Sequence, residues 1–166
     1  MVITTDAAIA KDFALTSAFA EFDNSYLVVA GSPIRTATDV DKPGLRVAAY
    51  TGSAVHMHLK EQLKQAELRT TMRGQDRVEW MRAGEIDAIA DGVHTLRALF
   101  MPQVPGSRVV DGHFSTTMLV LGAVPAHRAG IEYLTRAIEE MRRSGQISDS
   151  ISRWSLNARV PSSGSR

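Results

Sequence analysis

The chain has 166 residues, 44% apolar and 22% charged, with a formal net charge of +1 and no cysteine. That length suits one ordinary domain, or a small lobe with part of another, and the composition is that of a globular protein. The near-neutral charge leaves no broad basic surface for nucleic acid or anionic lipid, and the lack of thiols excludes a disulfide framework and thiolate metal sites.

From Met1 onward there is no basic leader, and Asp6, Lys11 and Asp12 interrupt any apolar core, so no secretory signal is read. If Met1 is the true start, the chain is expected to stay in the cytoplasm. Ser25 to Ala30 (SYLVVA) is a compact β-prone run closed by Gly31, Ser32 and Pro33. After a polar loop ending in Lys42-Pro43-Gly44, Leu45 to Tyr50 reads as a second strand. Thr51-Gly52-Ser53 then turns into a helix with Val55, Leu59, Leu63 and Ala66 on one face.

Leu68 to Met72 is the third strand, Gly74 to Gly84 a short helix with a glycine stop, and Ile86 to Ala90 the fourth strand. A helix from Val93 to Met101 is expected to stop at Pro102. Arg108 to Asp111 and Thr116 to Val124 are further strands. The longest apolar run, Met118 to Val124, is far too short to cross a bilayer, so no membrane insertion is expected. Ile131, Leu134, Ile138 and Met141 form one helical stripe. Gly145 breaks it, and Ile147, Ile151 and Trp154 continue a second helix. Residues 157–166, rich in Ser and ending SSGSR, are expected to form a disordered tail. This alternation predicts an α/β fold with a mostly parallel sheet covered by helices on both faces. Residues 1–24 hold no complete βαβ unit, so the chain reads as starting in the middle of a fold.

Several landmarks fall in order: Thr16-Ser-Ala-Phe19, Tyr26-Leu-Val-Val, Gly31-Ser-Pro-Ile-Arg-Thr36, Asp39-Val-Asp-Lys-Pro-Gly-Leu-Arg-Val47 and Gly52-Ser53. Arg82-Ala-Gly-Glu-Ile-Asp-Ala-Ile89 and the closing run from Ala137 through Gly145 to Arg153-Trp154 follow. This ordered set resembles the family-3, amino-acid type, periplasmic solute-binding proteins of ABC transporters, over nearly the whole chain. The resemblance implies a periplasmic-binding-protein type II-like fold of two α/β lobes, with ligand held in the cleft between them. Here the second lobe would be complete and the first only partial. Residues 1–28 would be a remnant of lobe 1 and the outward hinge strand, 29–112 lobe 2, 113–156 the return hinge and C-terminal helices of lobe 1, and 157–166 the tail.

Of the candidate ligand-binding residues, Thr51, Gly52, Ser53 and Ala54 lie at the carboxyl end of a parallel strand and open a helix. Unpaired N–H groups and the helix dipole there favour an anion. In the resembling family the matching positions hold a ligand carboxylate. Ser53 as a plain helix cap is the alternative, and one residue can do both. Tyr50 adjoins the turn and is kept as a candidate, though Tyr50, Phe19 and Tyr26 are all read more as packing than as a ligand shelf. By the resemblance, Thr4 matches a ligand-contacting threonine, but the arginine that clamps an α-carboxylate falls at Ile9. The family's amine-binding acid falls at Gly92, one position after Asp91, so Asp91 either reaches the ligand or caps the next helix. These departures point away from an ordinary α-amino acid.

His56-Met57-His58 places two histidines at i and i+2 on different helix sides with no HExxH partner, so they are expected to be exposed polar positions and not a metal site. Glu139, Glu140, Arg142 and Arg143 read as a solvated face, and Trp80 and Trp154 as packing anchors. No GxSxG elbow, cysteine nucleophile or GxxxxGK[ST] loop occurs. No cofactor, no metal and no catalysis is therefore expected. The resemblance implies an extracytoplasmic, periplasmic binder of a small amino-acid-like or organic-anion solute, with an ABC permease as partner and no nucleic acid. Three alternatives stand beside it: a ligand-sensing domain of LysR-effector type, an enzyme on the same scaffold like the cyclohexadienyl dehydratases, and a truncated product acting only through oligomerisation. An incomplete first lobe would leave sheet edges and helix faces uncovered, so a homodimer or higher oligomer is expected.

Overall fold

The computed structural model describes residues 2–4, 12–153 and 158–161. Its strands are β1 (Val2–Thr4), β2 (Ala14–Leu15), β3 (Ala20–Val28), β4 (Arg46–Tyr50), β5 (Glu67–Thr71), β6 (Ala88–Gly92), β7 (Arg108–Val109) and β8 (Ser115–Ala123). Its regular helices are α1 (Ala54–Gln62), α2 (Gly74–Arg82), α3 (Arg128–Arg143) and α4 (Gln146–Arg153). The chain divides into two compact units: a central one, Asp23–Thr116, and a terminal one built from Met1–Phe22 and Thr117–Arg166. Strands β3 and β8 carry the chain out of the terminal unit and back.

In the central unit the strand order is β7–β3–β6–β4–β5. β4 pairs in parallel with β5 from Arg46↔Glu67 to Tyr50↔Thr71, and with β6 at Val47↔Ala88 and Ala48↔Ile89. β3 runs antiparallel to both β6 and β7. The sheet is thus mixed, not mostly parallel. The β4–α1–β5 and β5–α2–β6 crossovers force parallel pairing. No such helix joins β3 to β4, where the loop holds only a 3-10 turn at Ala37–Asp39.

Period-two alternation splits the core between the two sheet faces. Tyr26, Val28, Val47, Ala49, Ala88 and Ala90 bury one face against Val55 and Leu59 of α1. Leu27, Ala48 and Ile89 bury the other against Val78 and Met81 of α2 with Leu96 and Phe100. Trp80 packs partly buried on this second cluster.

Two local expectations shift. Leu63 and Ala66 lie beyond the end of α1, because Leu63 turns extended (φ −69°, ψ 129°). The Asp41 carboxylate takes the N–H groups of Lys64, Gln65 and Ala66 at 2.8–3.1 Å and turns the chain away. Those bonds, from Ala66 and Gln65 first, hold the Asp41 carboxyl below the ordinary carboxylate range. Leu63 and Ala66 still pack, partly buried, on the α1 face of the core. Finally, residues 93–103 are not one helix ending at Pro102. An α turn (Val93–Thr95) runs into a π turn (Leu96–Phe100) and a 3-10 turn (Met101–Gln103) that contains Pro102. Proline is tolerated there because the first turn of a helix does not use its N–H.

In the terminal unit β1 and β2 both pair antiparallel with β8. Ala18 and Val120 are buried beside Phe13, Leu15 and Met118. Of the expected α3 stripe, Ile131 and Ile138 are buried, while Leu134 and Met141 stay more than a third exposed. Gly145, at φ +81°, separates α3 from α4, and Trp154 lies outside the described residues. Within the segment expected as a tail, Arg159 exchanges backbone hydrogen bonds with Glu21 at 2.8 and 2.9 Å and pairs with its carboxylate at 2.6 Å. Arg142 donates to the Pro161 carbonyl at 2.7 Å. No helix among the described residues is long and apolar enough to cross a membrane.

Candidate functional site

The carboxyl ends of β4, β5 and β6 bring together Tyr50, Thr51, Gly52, Ser53, Ala54 and Asp91. β4 stops because Thr51 makes one last ladder bond, from its N–H to the Thr71 carbonyl at 2.9 Å, before the chain turns. Gly52 supplies the turn with a left-handed φ of +79°, which costs glycine little. Ser53 closes it, its N–H reaching the Tyr50 carbonyl at 3.2 Å.

Ser53 is the N-cap of α1: its Oγ accepts the His56 N–H at 3.1 Å and donates to the Tyr50 carbonyl at 2.8 Å. The Gly52 N–H donates to His56 Nδ1 at 3.0 Å, so that nitrogen presents a lone pair to the turn. Thr51, Gly52 and Ser53 therefore spend their N–H groups inside the protein. The donors left over are those of Ala54 and Val55, which open α1 and have no intrahelical acceptor. With the positive end of the helix dipole they make the anion-friendly part of the turn.

The histidines are not simply exposed. Both are half-buried: His56 braces the turn, and the His58 ring stacks 5.7 Å from Phe114, which itself lies tilted 4.5 Å from Tyr26. The reason is local for His56, whose third helical position reaches back to the cap. It is tertiary for His58, which meets the segment returning from β7. No group of three or more His, Cys, Asp or Glu side chains able to hold a metal occurs among the described residues.

Asp91 neither points free into solvent nor caps the following helix through a side chain. Its Oδ1 accepts the Gly92 N–H at 2.8 Å and its Oδ2 accepts Arg77 Nη1 at 2.9 Å. Arg77 comes from α2 and is 4% exposed. Its guanidinium carbon sits 4.7 Å from the Phe100 ring centroid and 5.8 Å from that of Tyr50. Arg77 Nε has no hydrogen-bond partner among the described residues. On the other side of β4, Asp76 accepts the Thr71 hydroxyl at 2.6 Å and lies 3.4 Å from Arg73. His94 is half-buried near Asp91; burial lowers its pKa below the ordinary 6.5, and the Asp91 charge opposes that.

Thr4 belongs to the terminal unit, in β1 opposite Leu119, and Ile9 lies outside the described residues. Sequence reading misses two residues, Arg77 and His56. A signal for Arg77 exists: it stands four residues before Met81, on the buried face of α2 with Val78. A signal for His56 exists too, at the third position after the Ser53 cap.

No protein-family model matches the sequence, and no curated protein matches it. Solved structures do. The ancestral amino acid-binding protein AncCDT-1, a precursor of cyclohexadienyl dehydratase, is similar at a TM-score of 0.75 and 19% identity, covering 92% of this chain and 66% of that one. An amino acid ABC transporter substrate-binding protein from Streptococcus pneumoniae bound to L-arginine follows at 0.74 and 17%, covering 91% and 64%. An ancestral arginine-binding protein bound to glutamine gives 0.74 and 19%, covering 93% and 68%. The chain thus spans about two thirds of the length of these structures, and over that span it has the α/β fold of the periplasmic-binding-protein type II kind.

Proposed function

We propose that this chain is the solute-binding component of an ABC transporter, holding a small amino-acid-like or organic-anion ligand at the Tyr50–Ala54 turn and acting by binding, not catalysis. The observation that carries the reading is the start of α1. The Ala54 and Val55 N–H groups stand without intrahelical acceptors at the carboxyl end of β4, where open α/β sheets take ligands. The similar structures are amino-acid binders by their descriptions, which supports the solute class and an exported, periplasmic setting with a permease partner. Self-association belongs to the same proposal, supported by the exposed Tyr133, Leu134 and Met141 on α3. Light scattering at micromolar concentration is expected to give more than a monomer.

A thermal-shift panel of the common amino acids and short mono- and dicarboxylates tests the central reading. A ligand at a hundred times its dissociation constant stabilises by about 2.7 kcal/mol, enough to move the melting temperature by several degrees. An unmoved transition across the whole panel would sink the reading.

A further inference from the structure

We infer that the turn selects a small carboxylate that carries no neighbouring ammonium group, an organic acid in preference to an α-amino acid. This rests on the reading above that a solute binds at the turn. A bound ammonium needs acceptors whose charge is not already matched. Two carboxylates flank the turn, one at the exit of each strand beside β4, and each already faces its own arginine: Asp76 with Arg73 at 3.4 Å, and Asp91 with Arg77 at 2.9 Å.

The Asp91 pair decides the matter by its burial. The Arg77 side chain is 5% exposed and that of Asp91 24%, so the cation lies behind the carboxylate and a ligand ammonium would meet both charges together. The second Asp91 oxygen takes the Gly92 N–H. Tyr50, the exposed ring at the turn, already has the Arg77 guanidinium 5.8 Å from its centroid, which weakens its draw on another cation.

The groups that lack partners favour the opposite charge. Ala54 and Val55 offer two N–H donors at the positive end of α1. Two arginines cancel two aspartates, and the helix terminus leaves a positive excess, which a carboxylate satisfies and an ammonium does not.

Isothermal titration of the full chain near neutral pH, with matched pairs differing only in the amine, tests this: succinate against L-aspartate, glutarate against L-glutamate, 3-phenylpropionate against L-phenylalanine. In any pair that binds, the acid without the amine is expected to bind at least about tenfold tighter. An amino acid that binds as tightly or more tightly overturns the inference and leaves the binding reading standing. If no member of any pair binds, the binding reading fails and the inference goes with it. Arg77→Gln frees Asp91 and is expected to narrow the gap by about tenfold. Should that variant not fold, Asp91→Asn leaves Arg77 uncompensated and is expected to raise the affinity of the acid several-fold; a fall there counts against the inference.

Discussion

The same three parallel strands end very differently at their two ends. At the amino ends, Asp87 takes the Arg46 backbone N–H at 2.8 Å and its guanidinium at 2.9 and 3.2 Å, while Arg46 also donates to the Gly84 carbonyl at 2.8 Å. Arg69 pairs with Glu67 at 2.7 Å and with the Glu85 carbonyl at 3.0 Å. These charged groups pair with one another or with neighbouring backbone groups. At the carboxyl ends, the Ala54 and Val55 N–H groups lack intrahelical acceptors. The pairing at one end ties the strands together; the N–H groups left over at the other are what the proposed ligand would complete. In the proposed reading, one end serves stability and the other recognition.

Four experiments press on that contrast. Asp87→Ala removes three hydrogen bonds to Arg46 and is expected to cost about 2 kcal/mol in urea unfolding. Affinity for whichever probe the thermal-shift panel identifies should hold steady; a matching loss of affinity would mean that the two ends are not separate. Gly52→Ala comes next, at about 1–2 kcal/mol, because a side chain at φ +79° strains the backbone although the added Cβ meets nothing within 4 Å. It should also weaken probe binding, and an unshifted unfolding midpoint would show that the turn is not held left-handed.

Ser53→Ala removes the cap of α1 and is expected to cost about 1 kcal/mol, with Ser53→Asp restoring most of it. The smallest effect belongs to His94. Its folded pKa lies below 6.5, so between the two values the unfolded chain binds a proton that the folded chain does not. Its contribution is therefore present above about pH 6.5 and is lost as the pH falls through the folded pKa. Melting temperatures followed from about pH 8 to 5 should decline less steeply in His94→Gln, and parallel curves would remove His94 from the account.

Much of the central unit is legible in the sequence, because its signals are local. The apolar run ending at Tyr50, the Gly52 turn, the Ser53 cap and the Val55–Leu59 stripe announce a strand, a turn and a helix within a few residues of one another. Pairing direction is less so: nothing between Val28 and Arg46 says that β3 lies antiparallel to β6, since that depends on how the chain enters the sheet.

The candidate site divides the same way. The sequence by itself determined that a glycine turn opens a helix after β4, and that Asp91 directly follows an apolar strand run. Only the tertiary structure decided which N–H groups remain there, because His56 folds back on Gly52, and that Asp91 is already answered, because α2 delivers Arg77 from fourteen residues upstream. A charged side chain on a short polar helix reads as solvated until Phe100, Tyr50 and Asp91 are seen to surround it. Burial of a charge depends on partners that strand pairing and helix packing bring together, and no local pattern of residues records them.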